Sequence, residues 1–347
     1  LPICAVCSET KAHISVQTGS NASPKLLPLH TKGSIRAQNS IQMVEIVGGL
    51  GALGMLIAYW LITQPVLSSL RLSNLAGRNN AFENMTKHPA IVCAKSFDVS
   101  MRECWNTITL HDALFGCSGL LRDASIHGQA VGTVRCVFAS KYVMSYCMDD
   151  LLPVKFKCQY SSLASLLGSP AQANYCSANA RIDRAAARDR VSGRPSLSIQ
   201  WGPWIGVGGM AHENTLRKLE HNGVHGVTKS EGIHILGMVL SNCSATYTTI
   251  TANRFHWPRF FRSQANAGPF VAEFGSPSIS TCKSEVIKDV DLSLTSCARE
   301  SFDPVACVTD KISRLVSDIV VRSVPFEEPL MDYGLDSLGI LELQSAL

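Results

Sequence analysis

Apolar and polar positions fall into short blocks from residue 41 onward. IQMVEIV (41–47) is an apolar run that ends in glycines and predicts a buried strand. Residues 52–62 then predict an apolar helix. CAKSFDVS (93–100), ALFGCSG (113–119) and KFKCQYSSL (155–163) read as further strand ends with amphipathic stretches between them. SLSIQWGPW (196–204) is another strand followed by a Gly-rich loop, and TYTTITANRF (246–255) is a late β-branched run. Strands alternating with helical stretches predict an α/β fold, a Rossmann-type doubly wound parallel sheet.

Outside that block the pattern fades. Residues 1–40 are polar and without period, which suggests a linker or the remnant of a preceding structural region. Residues 264–302 are rich in Ser, Gly, Pro and Thr, the composition of a flexible linker. Asp303 and Pro304 then suit the first turn of a helix along which Val308, Ile312, Leu315 or Val316, and Ile319 recur. A loop with Pro325 and Pro329 precedes a second helix opening near Ser337. The domains expected are 41–263, a Rossmann domain, and 303–347, a truncated helical one.

Composition narrows the class. A chain of 347 residues with 46% hydrophobic and 17% charged residues has material for a sizeable core and about two domains. Net charge is +4, with no basic run of the kind that tracks a phosphate backbone, so nucleic acid is not an expected partner. The 13 cysteines lack framework spacing, and Cys4 and Cys7 form a CxxC without a second pair. Reduced thiols in a cytoplasmic protein are expected, and no metal. The segment 46–62 is apolar enough to suggest a membrane span, but four glycines within 48–54 and Glu45 just before them fit a strand–turn–helix better.

Gly49, Gly51 and Gly54 in GGLGALG (48–54) fit GxGxxG between a strand and a helix. Such a turn lets the backbone of Gly48, Gly49, Leu50 and Gly51 approach a pyrophosphate at a helix N-terminus. No acid follows between Glu45 and Glu83, while Arg71 and Arg78 lie in the window where a 2′-phosphate would be read, which favours NADPH over NADH. Asp98, after a strand, is a candidate for the adenine amino group.

Hydride addition to a ketone builds charge on oxygen, so a proton donor and a hydrogen-bond donor are needed there. Tyr175 is the candidate acid, Ser162 the oxyanion partner, and Lys141 the ammonium that would lower a phenol pKa of about 10. Together GGLGALG, SKY (140–142), SSLASLLGSPAQANYCSAN (161–179) and IQWGPWIGVGGMA (199–211) resemble the ketoreductase domain of type I polyketide synthases and animal-type fatty acid synthases, a branch of the short-chain dehydrogenases. The resemblance implies that Tyr175 is the catalytic acid, Ser162 the carbonyl-binding hydroxyl and Lys141 the activating partner. Asn179 stands where free-standing dehydrogenases carry lysine. Val47, Asn74 and the GCSG stretch (116–119) depart from the family pattern, which leaves a non-catalytic scaffold as the alternative, beside a fatty acid synthase fragment. The surviving Asp123 of an LDD signature, and Leu167 in place of tryptophan, point to a D-configured 3-hydroxyl.

PLMDYGLDSL (329–338) has its own logic. Asp336 can cap a helix that opens at Ser337, leaving the hydroxyl at a helix N-terminus. Residues 303–347 resemble the first half of an acyl carrier domain, where the matching serine carries covalent 4′-phosphopantetheine. The implied partners are an acyl chain tethered to that carrier and neighbouring synthase domains.

Overall fold

The computed structural model describes residues 6–7, 13–16, 25–28, 42–64, 67–74, 80–87, 91–96, 98–99, 101–105, 112–143, 154–207, 213–238, 240, 248–263 and 304–320, with isolated residues beyond. Arg78, the stretch 264–302, Asp303, Asp336 and Ser337 lie outside the described residues.

Seven strands form one parallel sheet: β1 Met43–Val47, β2 Ser69–Asn74, β3 Ile91–Ser96, β4 Ala113–Gly116, β5 Phe156–Ser162, β6 Ser196–Trp201 and β7 Thr249–Ala252. Their order is β3-β2-β1-β4-β5-β6-β7, and every neighbouring pair is parallel. The sheet therefore reverses winding between β1 and β4, where loops part to leave a crevice at the strands' carboxyl ends. This is the doubly wound α/β fold that the alternating pattern predicts. Helix α1, Ala52–Ile62, has the predicted bounds. No helix of the described residues is long and apolar enough to cross a membrane.

One strand escapes the hydrophobic reading. β2 is SLRLSN, with only Leu70 and Leu72 apolar, yet it lies between β1 and β3. Its alternation recurs across the sheet. In register, Ile46, Leu72, Phe115, Cys158 and Leu197 share one face, which packs with α1 into the main core. Helix α5, Lys229–Met238, adds Ile235, Leu236 and Met238 to that core. The opposite face is polar and still buried: Glu45, Ser73, Lys157, Gln159, Ser198 and Thr251 have at most 3% of their surface exposed. Parallel sheets covered on both faces normally carry apolar side chains on both.

Helix α3, Ala173–Val191, covers the polar face over β5 and β6 and brings polar groups of its own. Asp189 receives Lys157 at 2.6 Å and Arg194 at 2.8 Å, and Asp183 is enclosed by hydroxyl and amide donors. Preceding it, α2 (Val131–Phe138) runs into a π-helical turn, Ala139–Val143.

Contacts divide the chain into two compact units: Leu1–Ala211 with Gly226–Arg254, and His212–His225 with Phe255–Leu347. The second contains α4 (Glu213–His221), a ring cluster in which Phe255 stacks on Trp257 at 4.5 Å, and α6 (Pro304–Val320). Pro304 opens α6, and among the described side chains of the apolar series Val316 is buried.

Glu45 tests the polar face. Burial pushes its carboxyl up to about 7, against the Ser73 hydroxyl that donates to it and the charges of Arg71 and Lys95. A carboxyl whose pKa is higher folded than unfolded leaves stability intact below its ordinary value of 4.5 and erodes it as pH rises through about 7. The loss is on the order of 3 kcal/mol. Urea unfolding at pH 5 and pH 8 should show this decline in the wild type and a flatter dependence in Glu45→Gln; equal slopes would refute it.

Candidate active site

The glycine turn follows β1. Gly48 has φ +78°, a conformation L side chains rarely adopt, and a Cβ there would lie 2.7 Å from the Ser118 nitrogen. Gly48 and Gly49 both donate to the Ser73 carbonyl, at 2.7 and 3.2 Å, which ties the turn to β2. At Gly54 a Cβ would sit 2.6 Å from the Gly49 Cα, so only glycine lets α1 close on the turn. Gly51 is the N-cap of α1, no side chain bonds the first amides, and no acid occupies the first turn. That combination suits an anion. Leu50 is half-buried within the turn.

Arg71 is not brought to this turn. It lies mid-strand in register with Glu45, and its Nε is 3.7 Å from that carboxylate. The reason is the strand alternation, which points residue 71 into the polar face while Leu72 packs under Gly49. Asn74 ends β2. Asp98 is half-buried after β3, its carbonyl accepting the Met101 amide at 3.2 Å.

Ser162 ends β5, and its hydroxyl accepts the Ala164 amide at 3.2 Å. Tyr175 stands in the first turn of α3, buried with Val137 and Ala178. The Ser162 and Asn179 side chains are close enough to the phenol to stabilise its ionised form, while burial, the larger effect, raises the pKa. Asn179 donates to the Tyr175 carbonyl at 2.9 Å, one turn along the helix. Its Oδ1 is buried without a hydrogen-bond partner among the described residues.

Lys141 sits on the π-turn, where its Nζ donates to the Tyr160 carbonyl at 2.5 Å. Burial lowers its pKa to about 8, against the opposing pull of Cys117 and Asp183. Burial also pushes the Cys117 thiol up to about 12. The sequence places an ammonium at the phenol to lower its pKa. The structure instead holds Lys141 on a backbone carbonyl, and the phenol shift is upward because desolvation outweighs the hydrogen bonds.

The segment 121–130 is bound to the start of α3. Ala124 donates to the Ala171 carbonyl at 2.9 Å, Gln172 to Asp123 at 2.9 Å, and Asn174 to the Arg122 carbonyl at 2.7 Å. Ala171 is left-handed at φ 57°, so this join carries backbone strain. Asn174 and Asp183 were not evident as candidates from the sequence. The signal for Asp183 is available there: polar residues at 196, 198 and 200 alternate in a strand that must face something buried.

Residues 43–206 match the family model described as KR domain. The chain is 24% identical to the spectinabilin polyketide synthase system protein NorB of Streptomyces orinoci, over 88% of this chain and 15% of that protein. It is 25% identical to the polyketide synthase GfsA of Streptomyces halstedii, over 88% of this chain and 4% of that one. The chain thus spans less than a sixth of these relatives. Its fold is shared with the ketoreductase from the first module of phoslactomycin biosynthesis in a Streptomyces species, at a TM-score of 0.65 and 22% identity, covering 74% of this chain and 63% of that one. Residues 43–206 accordingly match a KR domain, an oxidoreductase domain, and the relatives that align with the chain are polyketide synthases.

Proposed function

We propose that the chain reduces a carrier-bound 3-ketoacyl thioester to the 3-hydroxyacyl thioester with NADPH, within a cytoplasmic type I polyketide synthase module. The observation that carries this reading is that the glycine turn after β1, Ser162 at the end of β5 and the buried Tyr175 with Asn179 at the start of α3 all lie at the carboxyl edge of the sheet. These side chains lie at the carboxyl end of β5 and in the first two turns of α3.

The glycine turn fits a dinucleotide, since a Cβ at Gly48 would collide with Ser118 after β4 and one at Gly54 with the turn itself. Gly48 to Gly51 and the first amides of α1 would hold the pyrophosphate, and the nicotinamide, when bound, supplies the hydride. Arg71 is engaged by Glu45, so selection of the 2′-phosphate falls to other groups, for which Arg78 is the candidate.

The proton comes from the chain. Tyr175 Oη gives its proton to the substrate oxygen, and Ser162 donates a hydrogen bond to that oxygen as charge grows. The phenolate left behind is stabilised by Asn179 and by the positive charge of Lys141, which acts through space. The resemblance assigns residues 41–263 to the reductase, 264–302 to a linker and 303–347 to part of a carrier domain with 4′-phosphopantetheine on Ser337. Neighbouring synthase domains would supply the acyl chain. Asp123, held by Gln172, is compatible with a D-configured hydroxyl.

Three outcomes are expected. Tyr175→Phe loses reduction of a short 3-ketoacyl thioester by about a hundredfold or more with unchanged circular dichroism; retained turnover would overturn the assignment. Reduction declines as pH rises through about 8, where Lys141 loses its proton, and Lys141→Met gives a lower, flat profile in the same assay. In a fluorescence titration NADPH saturates the wild type and Tyr175→Phe but not Gly54→Val. A wild type that binds no NADPH would favour the scaffold reading.

A further inference from the structure

Two aspartates of α3 are buried, and they are neutralised differently. Asp189 has Lys157 and Arg194 within ion-pair distance. Asp183, about two helical turns beyond Tyr175, has no such cation among the described residues. Its closest neighbours are Ser198, 2.6 Å from Oδ1, and Gln200 and Ser165, 2.8 and 2.7 Å from Oδ2, with the Ser161 hydroxyl, 3.4 Å from Ser165 Oγ, as a more distant donor.

Counting protons decides what Asp183 is. Thr251 donates to Gln200 Oε1 at 2.6 Å, which fixes the amide so that its NH₂ faces Asp183 Oδ2 and Ser165 Oγ, the latter at 3.0 Å. Ser165 Oγ also lies 2.8 Å from the Ser162 carbonyl. A serine hydroxyl has one proton and two acceptor positions. With an ionised Asp183, the Ser165 proton would serve either the carboxylate or the Ser162 carbonyl, and the other short oxygen–oxygen contact would have no proton between its atoms. With a proton on Oδ2, each contact is satisfied. Asp183 donates to Ser165, Ser165 donates to the Ser162 carbonyl, and Gln200 and Ser198 donate as before. Burial favours the same neutral form, against the Lys141 charge, which faces Asp183 from beyond ion-pair distance.

We propose that Asp183 is a positioning residue for the reduction: as a neutral carboxylic acid it donates to Ser165, which in turn holds the Ser162 carbonyl and so fixes the turn that presents the Ser162 hydroxyl to Tyr175. The role rests on the reductase reading above. Asp183 touches no reacting atom; it acts through Ser165 on the residue that does. An amide reproduces a neutral acid here in part: asparagine donates from Nδ2 to Ser165 and accepts at Oδ1 from Ser198, but its Nδ2 cannot accept from Gln200 as the acid's Oδ2 does.

The test compares the full chain with its Asp183→Asn, Asp183→Ala and Ser165→Ala variants. Isotope-edited infrared spectra of ¹³C-aspartate-labelled protein at pH 7 should contain a protonated-carboxyl band that disappears in Asp183→Asn; absence of that band in the wild type overturns the neutral acid. In kinetics, Asp183→Asn, which keeps the donation to Ser165 and loses the bond from Gln200, should retain at least about threefold more kcat than Asp183→Ala. Asp183→Ala and Ser165→Ala should lower kcat about ten- to a hundredfold with KM for NADPH unchanged. Asn as damaging as Ala would overturn the positioning role, because the retained donation to Ser165 would then be without effect, and wild-type kcat in every variant would overturn it outright. A wild type that shows the band but reduces no thioester sinks the reductase reading and the positioning role with it, while establishing the neutral acid.

Discussion

A polar side chain removed from water has to find its hydrogen bonds inside the protein, and here that requirement acts on a whole face of the sheet. An unmet donor or acceptor costs about 1–3 kcal/mol, more when charged. Asp183, Asp189, Lys157 and Gln200 are all at most 7% exposed at the contact between α3 and β5–β6. A helix packed by apolar contacts alone can slide or roll with modest loss. One that must deliver Asp183 to Ser198 and Gln200 and Asp189 to Lys157 has a single register. Tyr175 is on that helix, so its height and rotation relative to Ser162 are consequences of bonds made farther along α3.

The two faces of the sheet thereby divide the work. The apolar face, with Ile46, Leu72, Phe115 and α1, supplies burial and holds the glycine turn by close packing under Gly49. The polar face supplies orientation. The turn and the tyrosine reach the same end of the sheet from opposite sides, because in parallel strands every loop after β1 and β5 leaves from the carboxyl edge.

Legibility in the sequence followed this division. Helix α1 could be bounded correctly because its glycines and its apolar composition both mark its start, and steric exclusion at Gly54 is a property of the residue type itself. Strand β1 was legible as an apolar run, and β4, β5 and β6 as short strand segments set between helical stretches. Strand β2 was not, since Arg71 and Ser73 look solvent-facing until Glu45 is placed beside them, and that neighbour is 26 residues away from Arg71 in sequence. Spacing alone made Arg71 a phosphate-binding candidate; register made it the partner of a buried acid. The candidate set Lys141, Ser162, Tyr175 and Asn179 could be named from the sequence because a motif fixes order along the chain. The bond from Lys141 to the Tyr160 carbonyl, and the donors around Asp183, depend on tertiary packing that spacing does not encode.

The direction of the tyrosine shift has a further implication. Dry surroundings act on Tyr175 and Lys141 oppositely, raising the phenol and lowering the ammonium, so both are driven toward their neutral forms. A neutral phenol is the form that can give a proton, and burial therefore keeps the donor loaded. What burial takes away is the stability of the phenolate that results. Ser162 and Asn179 offset that loss at close range. A donor with its proton secured and its conjugate base supported only by preset dipoles is suited to a reaction in which charge appears on the substrate oxygen first and is then quenched. Solvent exposure would give a better acid in isolation and a poorer site, since water would compete for every one of those bonds.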